Sequence, residues 1–589
     1  MASLMQKTVK GHKYWYLVES RRVNGKPRPI VIEYLGTADK LLERLSQCPK
    51  NLTLKSYAFG DVAGLLSIAQ RLNIAETINK YIDSRRKNFP KQPIRNNLTA
   101  GATYLLGAIG RCCMMTSKRG WHEWARGTAL EYLLKADLAK VDSQHFWDLM
   151  DSLPAENIPK IEREIMEAAF KGFGLEADTL FYDATNFFTF ISTTNTRNTL
   201  AQRGRNKQKR HDLRQVGMAL VVSKKDQIPL FHHTYQGNLN DVSIFKSVIK
   251  DISKRIKNIG LDIGQHTFVL DRGNNSKTNL GIIEGLGLSY VGALSPVNHK
   301  ELALNALEAL SGKTIGEGQA NFHRVQAQVW GAERTVIVFV SDELKQGQAR
   351  GIHSMLAKKE KQLTKLQNKL KEPKAIKRNR KQLSAQINNI LKTKQAKDLI
   401  VWELKWKSKG RYELSFQIND QEIERLETKF GLRILMTNRH SWSAAEIIEA
   451  YYGQSNVEKA FKELKNPYHL TVKPQYHWTD QKIKVHNFIC VIGYLLRALL
   501  HRELRNQANY KGSINTMLNE LKNIRLATVL SKNKEGGKIK TEYKIEQMST
   551  GEEVLFKALG LQNLLKKRVK IKGVSVYNSN SQFNRKVLN

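Results

Sequence analysis

Two aspartates close apolar stretches of this chain: Asp183 in DTLFYDATNFF and Asp271 in HTFVLDRG. A carboxylate at the end of a buried strand is costly unless its charge is compensated. Divalent cations would compensate it, because Mg²⁺ takes a few carboxylates and fills its shell with waters and phosphate oxygens. A pair of such ions, roughly 4 Å apart, can activate a water or a 3′-hydroxyl and stabilise the leaving oxygen of an in-line displacement. A third acid, Glu458, falls in a helix that begins near Ser443. Ser443 and Glu446 form an S-x-x-E capping box. Asn466–Pro467 ends the helix, because proline disfavours helical geometry in the residue before it. Tyr451, Gln454, Glu458 and Lys465 follow one another at offsets of 3, 4 and 7, the spacing of one helix face. Spacing alone also fits an amphipathic helix with a core tyrosine and an exposed charge pair. Either aspartate alone also fits a strand end or turn. All three acids together, beside a strong basic excess, point to phosphoryl chemistry on a polyanion.

That excess is large. The 589 residues hold 96 Lys plus Arg against 54 Asp plus Glu, a formal net charge of +42. Such a surface attracts nucleic acid by releasing condensed counterions. A ribosome-associated or membrane-surface protein is the blander alternative. Hydrophobic residues make up 41%, enough for real cores, so wholesale disorder is excluded. The length suggests three or four domains. Cys48, Cys112, Cys113 and Cys490 show no CxxC spacing, so neither a thiolate zinc site nor a disulfide framework is expected. The N-terminus lacks the apolar core of a signal peptide. The apolar run from Phe488 to Leu500 is too short to span a bilayer, and Arg497 interrupts it. No membrane partner and a cytoplasmic, nucleoid-associated protein are the expectation.

The elements that must position these residues can be read in outline. KYWYLVES and PRPIVIEYLG form a leading β-hairpin turned by Asn24–Gly25–Lys26, within a region 1–55. Helical periodicity dominates 56–175, the expected DNA-binding domain, with a basic loop at SRRKNFPKQPIR. Residues 176–298 read as a catalytic core: strands at DTLFYDATNFF, VGMALVVS, IPLFHHTYQG, HTFVLDRG and LSYVGALS, with a helix before the fourth. This predicts an α/β fold, a mixed five-stranded sheet flanked by helices. An insertion domain occupies 299–430. Its Lys-rich run from about Asp342 to Lys397 has no sustained apolar heptad, and reads as a long solvated helical hairpin. The core resumes over 431–505, and a basic C-terminal region follows over 506–589.

The joint motifs resemble the DDE transposases of bacterial insertion sequences, in the superfamily with a Tyr-Arg-Glu-Lys signature, Y-x2-R-x3-E-x6-K. YYGQSNVEKAFKELK matches it at Tyr451, Glu458 and Lys465, and Gln454 stands where the signature has arginine. Asp183 in FYDATN and Asp271 in VLDRG match the family's first two acids. RHDLRQVGMALVVSKKDQIPLFHHTYQGN and VKPQYHWTDQKIKVHNFI extend the resemblance, which runs in order over roughly residues 10–565.

The resemblance implies an RNase H-like core whose metal ligands are Asp183, Asp271 and Glu458. Two Mg²⁺ ions would sit in each active site, with Mn²⁺ able to substitute. It implies cleavage and strand transfer at terminal inverted repeats, by cut-and-paste with a hairpin at the excised end. Double-stranded DNA, as element ends and target, and a second copy of the chain in a synaptic homodimer are the implied partners. Arg272 and Lys465 would meet phosphate oxygens, with Tyr451 and Gln454 beside the DNA. An aromatic residue of the insertion would hold a flipped base. Trp330, Trp402 and Trp406 are the candidates there, since an indole can stack on any base. Trp402 and Trp406 lie four apart in a strand and so share a side, and packing within a small sheet explains them equally. The loop Arg197–Arg214 would clamp the DNA backbone, or else lie solvated. His232 and His233 read as structural histidines. Two rival readings are a DNA-binding protein that has lost catalysis and a stand-alone RNase H-like nuclease.

Overall fold

The computed structural model describes residues 2–23, 26–46, 51–82, 94–114, 117–176, 178–206, 208–239, 241–258, 263–311, 322–372, 378–408, 410–468, 470–473, 475–532, 539–566 and 571. The turn residues Asn24 and Gly25, Cys48, most of the basic loop SRRKNFPKQPIR and nearly all of the polar C-terminal tail lie outside them. The chain divides into two compact units. One comprises Met1–Asn157, Asn466–Thr471 and Ile492–Asn589; the other comprises Ile158–Lys465 and Val472–Val491.

In the first unit, β1 (Ala2–Val9), β2 (His12–Val23) and β3 (Lys26–Gly36) form an antiparallel sheet in that order. The expected hairpin is β2–β3. The added β1 pairs with β2 from Ala2↔Glu19 to Val9↔His12 and satisfies the backbone groups of its other edge. After β4 (Asn51–Ala58) the chain is helical, apart from the two-residue strands β5 (Ile94–Arg95) and β6 (Leu98–Thr99). Helices Gly60–Arg71 and Ala100–Cys113 are buried almost all round and form the centre of this unit's core. The Thr99 hydroxyl caps the second by accepting from the Ala102 amide at 3.3 Å.

The second unit is organised by one mixed sheet. Its strands are β7 (Thr179–Thr189), β8 (Arg214–Ser223), β9 (Pro229–Gln236), β10 (Thr267–Leu270), β11 (Ser289–Leu294), β12 (Phe322–Val329), β13 (Ala332–Val340) and, after the insertion, β16 (Leu432–Thr437). Their spatial order is β12-β13-β16-β11-β10-β7-β8-β9. The five strands expected from sequence are all present and contiguous, but the sheet has eight. The hairpin β12–β13, expected inside the insertion, pairs antiparallel with β16 and so extends the sheet. Its turn is Trp330–Gly331, both at positive φ (54° and 86°), the geometry of a two-residue hairpin. β7, β8 and β9 form an antiparallel meander, while β10 and β11 run parallel to β7. Helix Asp241–Asn258 lies in the connection from β9 to β10. Runs such as VGMALVVS are apolar without alternation because both faces of the central strands are covered.

Between β13 and β16 a smaller body has its own core. Helix Asp342–Lys371 buries Ile352, Leu356, Leu363 and Leu366, spaced at helical intervals. They pack with Leu383 and Ile387 of helix Arg380–Ile390 and with Leu404 and Leu414 of the hairpin β14 (Ile400–Ser408)–β15 (Arg411–Ile418). The Lys-rich run is therefore not merely a solvated hairpin. Four apolar side chains in thirty residues suffice once a small sheet covers them.

Toward the C-terminus, helix Asp480–Ala508 is long and apolar enough to cross a membrane by composition, but 94% of its apolar window is buried inside the protein. Arg497 is wholly buried within it and donates to Asn515. Past helix Ile514–Asn523, β17 (Arg525–Lys532) pairs with both β18 (Ile539–Ile545) and β4, joining the two ends of the first unit's sequence.

Candidate active site

Asp183 does not end its strand, as the sequence suggested. It sits in the middle of β7, which continues to Thr189 because β8 pairs with it along its whole length, Asp183 opposite Leu220. What ends there is the other neighbour. β10 pairs in parallel with β7 as far as Leu270↔Tyr182, and Asp271 is the next residue. Asp271 and Asp183 are thus level on adjacent parallel strands, about 4.8 Å apart at the backbone. Asp183 is half-buried and Asp271 exposed. Each carboxylate folds back onto the following amide: Asp183 Oδ1 accepts from Ala184 N and Asp271 Oδ1 from Arg272 N, both at 2.7 Å.

The helix expected to run unbroken through Tyr451 and Glu458 is two helices, Ala444–Tyr452 and Ser455–Lys465. The capping box at Ser443 and Glu446 is present as expected. The helices meet at Gly453–Gln454, where Gln454 N donates to Tyr451 O at 3.1 Å and Asn456 N to Gly453 O at 2.9 Å, and this junction lies close to β7. A Cβ on Gly453 would stand 2.5 Å from Cζ of the fully buried Phe181, so only glycine lets the helix junction approach β7 this closely. Tyr451, Gln454, Glu458 and Lys465 therefore do not share one continuous helix face.

The second helix packs against β7 and β8. It buries Val457, Ala460, Phe461 and Leu464 against the sheet. On one flank, Asn456 Nδ2 donates to Lys224 O at 3.0 Å, in the β8–β9 turn. On the other flank, Lys465 Nζ donates to Thr185 Oγ1 and lies 5.5 Å from the Phe187 ring. Phe181, Asp183, Thr185 and Phe187 alternate onto one face of β7, the face this helix covers. Glu458 is seven residues before Lys465, about two helical turns, so the two share a flank of this helix, opposite the flank that carries Asn456. Glu458 is exposed. Among the described residues, no three His, Cys, Asp or Glu side chains are close enough to hold one metal ion together. Asp183 and Asp271 are level on neighbouring chain segments, and the three acids do not close into one ligand group.

Tyr451 is buried near Asp271 and Arg272. Burial raises its phenol pKa, Arg433 opposes that, Asp271 adds to it and Arg272 opposes it. It therefore stays a neutral hydroxyl. Gln454 is half-buried in the turn between the helices, and Arg272 is exposed. Sequence reasoning missed Arg433. From β16 its guanidinium lies 5.9 Å from the Tyr451 ring and 5.7 Å from the Tyr452 ring, the geometry of cation–π contacts. Nothing in GLRILMTN marks that arginine, because its significance comes from the helix across which it lies.

The insertion tryptophans separate. Trp402 packs against the core of the smaller body, whereas Trp406, on the same strand face, is 67% exposed beside Tyr412. Trp330 occupies the β12–β13 turn with its ring 5.8 Å from His299. His232 is structural: it is buried, its Nδ1 bonds Glu162, and Glu162 also accepts from Arg255 Nη1 at 2.7 Å. His233 is held down to about 4, chiefly by burial. The basic loop is pinned rather than loose. Thr199 N and Leu200 N both donate to Asp480 Oδ1 at 2.9 Å, and Leu200 and Ala201 pack with Val216 and Ile483.

Residues 4–58 match the family described as IS1634 family transposase, N-terminal domain. The chain thus carries at its N-terminus a domain of transposases, and the match supports an insertion-sequence transposase. No curated protein matches the chain. Among solved structures, the chain is similar to a piggyBac transposase in a synaptic complex with hairpin DNA. That likeness has a TM-score of 0.37 and 9% identity over 78% of this chain and 79% of the other, too slight to assign a fold or a chemistry.

Proposed function

We propose that this protein is a DDE-type transposase that cleaves and transfers DNA strands at the ends of its own insertion sequence, from an RNase H-like core. The observation that carries the reading is the level placement of Asp183 and Asp271 at neighbouring parallel strands, with Glu458 in the first turn of a helix that packs against β7. Two neighbouring carboxylates suit a hard cation that completes its shell with water and phosphate oxygens. Asp183 and Asp271 would hold Mg²⁺, with Mn²⁺ as a substitute, and Glu458 would join them when DNA brings its phosphate into the site. The ions would supply activation of the attacking oxygen and stabilisation of the leaving one.

The chain's own residues account for positioning. Lys465, held by Thr185 two residues beyond Asp183, meets the scissile phosphate, and Arg272 meets a neighbouring one. The Tyr451 hydroxyl, kept protonated, donates to a phosphate oxygen. Gln454 donates through its amide, while Arg433 supplies beside Tyr451 the cationic charge that position 454 lacks. In the first step a water oxygen bonds to phosphorus, the P–O3′ bond breaks, and the 3′ oxygen leaves as a hydroxyl. In transfer that hydroxyl attacks a target phosphodiester and the target's 3′ oxygen departs. Element ends and target are double-stranded DNA, and synapsis of two ends calls for a homodimer. The +42 charge supports a DNA partner, and a nucleoid-associated cytoplasmic protein is the matching location.

The test is cleavage of end-containing DNA with Mg²⁺ by wild type and by Asp183→Asn, Asp271→Asn and Glu458→Gln. Loss of cleavage by at least a hundredfold in each variant, with DNA binding retained, is expected. Cleavage that survives all three changes removes the assignment. End binding without cleavage by the wild type would favour a DNA-binding protein that has lost catalysis. Cleavage without joining of a precleaved end would favour a nuclease.

A further inference from the structure

The segment Gln475–Trp478 reverses the usual pattern of an extended chain. Gln475 and His477 are buried, while Tyr476 and Trp478 between and after them are 51% and 57% exposed. The polar side chains act as anchors. Gln475 Nε2 donates to Asn487 Oδ1 at 2.7 Å, and Asn487 Nδ2 donates to Thr234 Oγ1 at 3.1 Å. His477 stacks on His486, with ring centroids 4.3 Å apart. The backbone is fixed as well. Phe190 N donates to Gln475 O at 2.9 Å, in continuation of a parallel bridge between Thr189 and Gln475. Asn195 Nδ2 donates to Trp478 O at 3.0 Å. Phe190, at the end of β7, is itself 45% exposed, and its ring lies 5.8 Å from that of Tyr476. Three large aromatic side chains are thus held at the surface by a rigid polar base.

Their surroundings are cationic. Arg197, Arg203, Arg205 and Lys209 are exposed in the loop that follows Phe190. The sole acid between residues 190 and 214, Asp212, is occupied by Arg210 at 2.6 Å. Arg214 Nη1 donates to Asn195 O at 3.0 Å, tying the loop to the residue that holds Trp478. Exposed rings fixed beside a row of cations are what a single-stranded nucleic acid requires. The rings stack on base faces, and the cations follow the phosphates. A base inside a duplex has both faces covered, so the rings can act only on unpaired bases.

We propose that Phe190, Tyr476 and Trp478 form a stacking platform for unpaired bases of a DNA strand, with the Arg197–Arg214 loop along its backbone. This rests on the DNA-processing role proposed above and gives it a second contact region. Phe190 is seven residues beyond Asp183 on β7, about 23 Å at 3.3 Å per residue.

The experiment measures binding of the full-length protein, without divalent metal, to a single-stranded 20-mer of mixed sequence carrying 2-aminopurine and to a duplex of the same sequence. Tyr476→Ala/Trp478→Ala is expected to weaken single-strand binding roughly tenfold or more and to abolish the quenching that stacking produces. Duplex affinity should change by less than about threefold, since phosphate contacts dominate it. Trp478→Phe should restore most of the single-strand affinity, which a merely unfolded variant could not show. Unchanged single-strand affinity and quenching, or an equal loss on both DNAs, overturns the platform. The readout needs no cleavage, so it can fail while the metal-dependent test of the acids succeeds, and the reverse.

Discussion

The close approach of the junction between the two helices to β7 can be tested by filling the space that permits it. Gly453 has an ordinary helical backbone (φ −60°, ψ −14°), so Gly453→Ala introduces no conformational strain and acts only through its methyl group. That methyl would lie 2.5 Å from Phe181 Cζ, where van der Waals contact needs about 3.5–4.0 Å. Phe181 is fully buried and cannot move aside cheaply, so the helix junction must retreat by roughly 1 Å. Overpacking of this kind costs about 1–3 kcal/mol. The larger effect falls on activity: Glu458 begins only five residues on, and a shift of about 1 Å in a reacting group can cost on the order of a hundredfold in rate. The assay pairs metal-dependent cleavage of end DNA with thermal melting. Gly453→Ala should cleave far more slowly with a modest loss of stability. Phe181→Leu, which removes the atom in conflict, should recover a substantial part of the rate in the double variant, a coupling that independent sites would not show. Cleavage by Gly453→Ala at the wild-type rate, or double-variant effects that simply add, would refute the steric account.

Three further outcomes are expected of the folded protein. Lys465→Met should slow cleavage by about tenfold to a hundredfold, and Thr185→Val, which leaves the ammonium but loosens its hold, should slow it less; equal single-turnover rates for both variants and wild type would show that the contact is idle. Trp402→Ala should destabilise the smaller body by about 2–3 kcal/mol by opening its core, whereas Trp406→Ala should stay within about 0.5 kcal/mol, as chemical denaturation of each variant would show. His145 and His233 are both held to about 4 in the folded protein, mainly by burial. The unfolded chain binds their protons near 6.5 while the folded one does not, so the protein loses stability as pH falls from above 6.5 toward 4, by on the order of 3 kcal/mol per histidine. His145→Gln should flatten that slope in denaturant unfolding measured between pH 7.5 and 5; an unaltered slope would exclude His145 as its source.

Much of the second unit was legible in the sequence because local physics dictates it. Apolar runs broken by turn residues gave β7 to β11 in their right places. The capping box at Ser443 and Glu446 gave the helix start, and Asn466–Pro467 its end. The acids stood out because carboxylates beside buried strands demand compensation. Less visible was whatever depends on contacts between distant segments. The strand around Asp183 runs past it because β8, thirty residues away, continues to pair. The junction after Tyr451 can lie against β7 because Phe181, some 270 residues earlier, leaves room only for Gly453. The Lys-rich run packs because a hairpin that follows it covers its few leucines.

By itself, then, the sequence determined the charge that calls for nucleic acid, the element types, and the acids and signature residues Asp183, Asp271, Glu458, Tyr451 and Lys465. The tertiary structure decided that Asp183 and Asp271 are level, that Arg433 lies over Tyr451, and that Tyr476 and Trp478 face outward while their polar neighbours are buried. The reason is one of range. Periodicity, capping and burial cost are properties of a few consecutive residues, whereas register, close approach and exposure are set by partners that only folding brings together.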